Sequence, residues 1–271
     1  MERTSGRRAV LGSCGLAVSA FLSGCTGELT LGGDREELNR TFEAPNALAV
    51  ETDSGAVTVH PTGADRIELH AIKRSKSPIS DTDGTRVETV RDADRLRIVA
   101  ETGGGAWFGS AGTISLDVGV PAKTRLEHAA AQNGPATVTD VAGDARIEST
   151  NGAVIARRID GAVSLSSTNG AIRAHEIAAL DRAETTNGSI DLAVPAVRRD
   201  ASITTTNGPI TAALAPDLDA DVIATTTNGS TATDGLALSG TDDSATGTLG
   251  DGTYELLVES TNGTITLEAL G

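Results

Sequence analysis

Histidine and carboxylate side chains are the residues of this chain that could transfer protons or hold a metal ion. The four histidines are scattered, and no His-x-x-x-His spacing places two of them on one face of an element. A glycan-cleaving site would need clustered carboxylates in one groove, but we expect the acidic residues of the repeat region to occupy different repeat positions. We therefore predict no catalytic residue, no metal ligand and no cofactor. The residues compared are His60, His70, His128, His175, Asp140, Asp160, Glu176 and Asp191.

Two Gly-rich motifs that bind ligands elsewhere are also missing from the sequence. Gly103 to Gly105 is not followed by the Lys and helix of a phosphate-binding loop. The Gly-Gly-x-Gly-x-Asp nonapeptide of calcium-binding β-rolls does not occur. A polysaccharide-active β-helix enzyme remains the main alternative to a protein without catalytic activity.

Two features are candidates for binding. A Thr precedes six of the Asn residues described below, and these hydroxyls could form a ladder for a ligand or simply stabilise a stacked corner. Trp107 and Phe108 form the most aromatic spot of a chain that is only 2% aromatic. They could be an exposed contact tip, because Trp is enriched at recognition surfaces, or a plug over one end of the fold. The Thr residues are Thr150, Thr168, Thr186, Thr206, Thr227 and Thr261.

The element that must position all of these residues is a repeat built on the dipeptide Asn-Gly. Successive Asn residues are 18, 18, 18, 20, 21 and 34 positions apart. A fixed period near 20 residues is typical of repeat architectures. The Asn residues are Asn133, Asn151, Asn169, Asn187, Asn207, Asn228 and Asn262.

Side chains alternate between apolar and polar on both sides of each Asn. Val154 and Ala156, for example, flank the outward Ile155, and Ile147 lies four residues before Asn151. This alternation predicts a strand on either side of every corner. A meander of type I′ hairpins is one solution. We favour an all-β parallel solenoid with coils of 18–21 residues, because equivalent positions carry the same residue type, as in stacked coils. About ten coils at ~4.8 Å each would give a rod on the order of 50 Å.

Stacking also suggests a role for the repeated Asn. Asn amides in one column can hydrogen-bond along the axis, each donating to one neighbour and accepting from the other. We predict a structural role for the seven Asn residues and expect Gly to permit a strained corner. Asn187, Asn228 and Asn262 also begin Asn-Gly-Ser or Asn-Gly-Thr sequons, and we expect them to be poorly accessible because they stack in a column.

The N-terminus has the features of an export signal. Arg7 and Arg8 lie in a twin-arginine-like motif before an apolar run that is too short for a permanent membrane span. Leu22-Ser23-Gly24-Cys25 resembles a lipobox, whose Cys25 would carry lipid after cleavage. We predict a signal peptide at 1–24, a tether at 25–40 and a solenoid at 41–271, anchored to the outer face of the cytoplasmic membrane. Asn39 begins the sequon that we favour for glycosylation.

The charge of the chain excludes one class of partner. The net charge is −15, with 37 acidic against 22 basic residues. Nucleic-acid binding requires a basic surface, so we predict no nucleic-acid partner. The Asp-rich, Lys-poor composition resembles that of proteins from halophilic archaea.

A family resemblance rests on the repeat. The strand ending at Val120-Pro121, the Thr-Asn-Gly corners and the terminal Ser260-Thr261-Asn262-Gly263-Thr264-Ile265-Thr266-Leu267 resemble the DUF4097 adhesin-like family from Phe42 to Leu270. The resemblance implies a right-handed β-helix-like domain displayed at the cell envelope, and it supplies no catalytic residues. The expected function is an adhesin or envelope module that contacts surface polysaccharide, or a scaffold for another envelope protein.

Overall fold

The computed structural model describes residues 35–75, 85–103 and 112–271. The predictions at Arg7, Arg8, Cys25, Trp107 and Phe108 lie outside these described residues. Every regular element in the described ranges is a β-strand. No helix in this part of the chain is long and apolar enough to cross a membrane.

The strands alternate with short corners along the whole described chain. The first seven strands are β1 (Arg35–Glu43), β2 (Ala47–Ser54), β3 (Val57–Pro61), β4 (Arg66–Ser75), β5 (Thr85–Asp92), β6 (Arg95–Thr102) and β7 (Gly112–Val120). The next seven are β8 (Arg125–Asn133), β9 (Ala136–Ala142), β10 (Ala145–Asn151), β11 (Val154–Asn169), β12 (Ile172–Asn187), β13 (Ile190–Val194) and β14 (Ala201–Asn207). The last seven are β15 (Ile210–Leu214), β16 (Ala220–Asn228), β17 (Thr231–Asp234), β18 (Ser239–Gly240), β19 (Ser244–Leu249), β20 (Tyr254–Asn262) and β21 (Ile265–Ala269).

The coils stack in parallel and in register. Strands that precede a corner form a first stack, in the order β6, β2, β8, β10, β11, β12, β14, β20 and β16. Strands that follow a corner form a second stack, in the order β7, β3, β9, β11, β12, β13, β15, β21 and β17. The long strands β11 and β12 contribute to both stacks. This pairing confirms the predicted solenoid and excludes a meander of hairpins.

Inward side chains of the two stacks form one continuous core. Val154, Ile172 and Ile190 occupy one column and are at most 1% exposed. These columns consist of Ala, Val, Ile and Leu, which fit a narrow interior at close-packed density. At the ends of the stacks the pairing becomes antiparallel, through β5 and β4 on one side and β19 on the other. β1 pairs with β4 from Arg35 onward, within the stretch predicted as tether.

The corner glycines are needed for close approach. A Cβ on Gly152 would lie 2.2 Å from the carbonyl oxygen of Gly134 in the next coil. None of the Asn residues in the described chain adopts positive φ, as a type I′ turn would require. The Asn residues therefore do not form type I′ turns. The corner glycines Gly134 and Gly208 have φ values of 155° and 150°, which agrees with the expectation that Gly permits a strained corner, and coil spacing also selects Gly there.

A second corner lies seven residues after the Asn in three successive coils. Asp140, Arg158 and Glu176 have φ values of 52°, 50° and 57°, the left-handed region that non-Gly residues rarely adopt. Arg158 Nη2 donates to Asp140 Oδ2 over 2.7 Å. Asp140 and Glu176 thus share one column, which corrects the expectation that the acidic residues occupy different repeat positions. An Arg lies between them and offsets their repulsion.

The last coil in the sequence does not lie at the end of the stack. β20 pairs with β14 on one side and with β16 on the other, and β21 lies between β15 and β17 in the same way. The coil of Asn262 is therefore inserted between the coils of Asn207 and Asn228. In the described residues, eight corners stack, beginning with Ser54, where about ten coils were expected.

Candidate functional site

The most regular exposed surface is the corner ridge, which we define as the seven Asn residues with the Thr residues that precede them. Each Asn side chain donates from Nδ2 to Oδ1 of the next Asn over 2.9 Å. The donors all point toward Asn133, whose own Nδ2 donates to the carbonyl of Asp53 over 3.0 Å. The ladder runs through Asn133, Asn151, Asn169, Asn187, Asn207, Asn262 and Asn228.

The ridge keeps unused hydrogen-bonding capacity. An Asn amide has two N–H groups and an oxygen with two lone pairs, and an Asn within the ladder uses one N–H and one lone pair in the ladder bonds. All seven side chains are exposed, so the expectation that Asn187, Asn228 and Asn262 are poorly accessible is wrong. The nitrogen that glycosylation would modify at Asn187, Asn228 and Asn262 already donates within the ladder.

The two hydroxyl residues before each Asn have different roles. The first of them is buried and donates to the corner Gly carbonyl of a neighbouring coil, as Ser167 does to Gly152 over 3.0 Å. The second, such as Thr168, is exposed. Among the described residues, the hydroxyls of the second group have no hydrogen-bond partner, so they remain free to meet solvent or a ligand.

His60 and His70 line one cleft of about 430 Å³ beside β7, at the β7 end of the second stack. β7 lies between β4 and β3, so Asp117 is paired with His70 of β4, and its side chain also reaches His60 of β3. Gly119 is paired with Glu68 on one side and His60 on the other, and its missing side chain opens the cleft. The prediction of scattered histidines is therefore wrong for this pair, because the return of β7 between earlier strands has no signal in the spacing.

The chemistry of this cleft is limited by bonds within the protein. His60 Nε2 lies 2.6 Å from Asp117 Oδ1, and its Nδ1 lies 3.0 Å from the carbonyl of Pro61. Burial lowers the pKa of His60, but the Pro61 carbonyl and Asp117 outweigh it and raise the pKa above its usual value. Both nitrogens face oxygen atoms that accept hydrogen bonds, so the protonated ring donates to both and then has no lone pair for a general base. His70 Nδ1 contacts the Oδ1 of Asn39 at 2.6 Å, which places the predicted glycosylation residue at the edge of the cleft.

A charged network lies on the outer face of the first stack. Arg97 donates to both carboxylate oxygens of Glu51 at 3.0 and 2.7 Å, and His128 Nε2 lies 2.8 Å from Glu148. The Arg97 hydrogen bond holds the pKa of Glu51 below its usual value, although burial opposes it. Each charge has an opposite partner, as in surface networks that stabilise a face. Within the described ranges, no group of three His, Cys, Asp or Glu side chains could hold a metal ion.

Negative charge is concentrated toward the C-terminus. Residues 200–271 contain 11 acidic residues and no Lys, Arg or His, whereas residues 1–199 contain 26 acidic and 22 basic residues. The coils of Asn207, Asn262 and Asn228 are built from this acidic part. A residue count by thirds would have found this asymmetry in the sequence.

Comparisons with known proteins agree with this architecture. The fold resembles that of a "putative adhesin" of Bacteroides fragilis, with a TM-score of 0.50 and 14% identity over 86% of this chain and 97% of that chain. A "putative cell adhesion protein" of Clostridium sporogenes gives a TM-score of 0.39 and 9% identity over 88% of this chain and 100% of that one. A "putative lipid binding protein" of Parabacteroides distasonis gives 0.35 and 10% over 88% and 97%.

At 14% identity, the likeness to the Bacteroides fragilis structure shows the fold alone. No curated protein matches the chain. The family profile of DUF4097, described as Toastrack, matches residues 41–268. That match spans the whole stack of coils, and the chain belongs to the DUF4097 (Toastrack) family.

Proposed function

We propose that this protein is an exported surface module, anchored by lipid on Cys25, that makes adhesin-like contacts without catalysis. The solenoid would hold its outer faces away from the membrane. The family assignment and the adhesin-like fold are the context for this proposal. Its partner would be a surface polysaccharide or another envelope protein, and the acidity of the chain argues against nucleic acid.

The observation that carries the proposal is the state of His60 and Asp117. They form the histidine–carboxylate pair of the cleft that His60 and His70 line, and both ring nitrogens of His60 contact protein oxygens. A general base needs a free lone pair within reach of a substrate proton. The exposed Asn and Thr groups of the corner ridge, in contrast, repeat from coil to coil with free donors and acceptors. Such a surface suits binding better than bond cleavage.

Retention on polysaccharides, measured together with chain length, tests this proposal. The full chain carrying Cys25→Ser would be purified in high salt and incubated with a panel of surface polysaccharides. Retention with unchanged chain length is the expected result. Shortened chains would overturn the absence of catalysis, and His70→Gln would then show whether the free ring nitrogen of the cleft takes part.

Anchoring requires its own test in the producing cell. The unmodified chain is expected in the membrane fraction, because lipid on Cys25 would hold it there. Cys25→Ser is expected to move it to the soluble exported fraction. An unchanged distribution would contradict the lipid anchor, whatever the binding result.

A further inference from the structure

Three neighbouring strands of the first stack form a trough on their outer face. β11 lies between β10 and β12, and its outward residues in this part are serines. The flanking strands each present an Arg and a Glu at the same two levels. Arg146, Ser164 and Arg182 are aligned across the three strands, and Glu148, Ser166 and Glu184 are aligned one step further along. We call these six residues the Arg–Glu trough.

The walls of the trough are held in place by ion pairs along each strand. Arg146 Nη2 donates to Glu148 Oε1 over 2.7 Å, and Arg182 Nη1 donates to Glu184 Oε2 over 3.1 Å. The wall strands are separated by one intervening strand, which places them about 10 Å apart. Short Ser side chains leave the space between the walls open, and the cavity measures about 360 Å³.

The floor and one end of the trough contain polar atoms that make no hydrogen bond within the described residues. Within the described residues, neither Ser164 nor Ser166 makes a side-chain hydrogen bond, and both are only half-buried. At the end, Arg199 Nε lies 3.3 Å from Asp181 Oδ1. That oxygen is buried and has no hydrogen-bond partner. Unpaired polar groups in a concave site are costly unless water or a ligand satisfies them.

We infer that the Arg–Glu trough binds one neutral saccharide unit of a surface polysaccharide. The inference rests on the proposed adhesin-like function and names its ligand class. Sugar hydroxyls both donate and accept, so adjacent hydroxyls match carboxylates, guanidinium groups and serines placed side by side. A cavity of about 360 Å³ lies at the small end of the range for ligand pockets.

Charge favours a neutral ligand over an anionic one. The three Arg residues of the trough and its end are Arg146, Arg182 and Arg199, and each has a carboxylate beside it. An anionic sugar would gain an Arg contact but would meet these carboxylates at similar distances. A neutral sugar meets both donors and acceptors without that repulsion.

Isothermal titration calorimetry with defined oligosaccharides tests the inference. The probes are tetrasaccharides of glucose, mannose and N-acetylglucosamine, with tetragalacturonate as the anionic comparison. The protein is the full chain carrying Cys25→Ser. Ser166→Gln would fill the floor and is expected to weaken neutral-probe binding at least tenfold. Glu184→Gln removes a charged acceptor and is expected to weaken it about tenfold.

Thr225→Gln is the matched control. Thr225 occupies the same position before its Asn as Ser166, is half-buried, and has Glu259 and Ser244 as neighbours instead of two Glu residues. It is expected to bind like the parent. Absence of binding by all neutral probes, preference for tetragalacturonate, or equal loss in Ser166→Gln and Thr225→Gln would each overturn the trough. If Ser166→Gln is still retained on the polysaccharide panel, the trough fails while the adhesin-like function stands.

Discussion

Asn262 Nδ2 donates to Asn207 Oδ1 over 2.9 Å, although 55 residues separate the two in sequence. Asn228 is nearer to Asn207 along the chain but donates instead to Asn262. The amide ladder therefore follows the spatial order of the coils, and it passes through the inserted coil without a break. Because each amide polarises the next, such a chain is strengthened by its continuity.

Breaking the ladder in its middle should cost more than shortening it at its end. Asn169→Ala removes two inter-amide hydrogen bonds, one to Asn151 and one from Asn187. We expect its free energy of unfolding to fall by about 1–2 kcal/mol. Asn228→Ala removes one such bond and should cost about half as much. Denaturant unfolding measures both, and equal costs would contradict a cooperative ladder.

Corner Gly residues should tolerate no side chain. A Cβ on Gly170 would lie 2.0 Å from the carbonyl oxygen of Gly152, so Gly170→Ala must push two coils apart. We expect a loss of about 3 kcal/mol or more in the free energy of unfolding. Gly63→Ala is the control, because a Cβ there meets nothing within 4 Å. Similar stability of the two variants would refute coil spacing as the reason for Gly.

Replacing a buried corner hydroxyl should lower the free energy of unfolding more than replacing its exposed neighbour. Thr185 is 2% exposed, and its Oγ1 donates to the carbonyl of Gly170 over 3.0 Å. Thr185→Val keeps the shape but leaves that carbonyl without this donor, at a cost of about 1–2 kcal/mol. Thr186→Val changes an exposed side chain and should alter stability by less than about 0.5 kcal/mol. Thermal or denaturant unfolding of the two variants measures this difference in stability.

His60 should make stability depend on pH. Its pKa is raised in the folded protein, so its contribution is complete below the unfolded value of about 6.5. That contribution is lost as pH rises through the folded pKa. Because the side chain is 43% exposed, the effect should stay below about 1 kcal/mol. His60→Gln should flatten this part of the stability curve, and NMR titration of His60 should give a pKa above 6.5.

Local pattern predicted the coil but not the order of the coils. The alternation around Asn151 indicated correctly that Ile147 and Val154 point inward, because side-chain parity is fixed along a strand. The same parity places Ser149 inside and Thr150 outside. Nothing in the spacing shows that β20 enters between β14 and β16, because backbone edges of neighbouring coils are chemically alike.

The cleft at His60 could not be predicted either, because it also depends on the order in which strands pair. His60 and Asp117 meet because β7 returns to pair with β3, and 57 residues separate them in sequence. The Arg–Glu trough, in contrast, had a signal in the repeat. Arg146 and Arg182 occupy the same position of coils two periods apart, with Ser164 between them. Comparing the outward-facing repeat positions of successive coils, as well as the inward-facing ones, would have predicted the trough.

The inserted coil also determines the order in which strands can pair during synthesis. A ribosome synthesises β14 and β16 before β20 and β21. The strands on both sides of the inserted coil therefore exist before the strands that fill the slot between them. Until then, two unpaired edges face each other, and such edges invite pairing with other chains. This part of the fold is therefore completed only after β20 and β21 leave the ribosome. An export route that accepts folded proteins, as a twin-arginine signal would specify, allows the slot to be filled inside the cell, where synthesis ends.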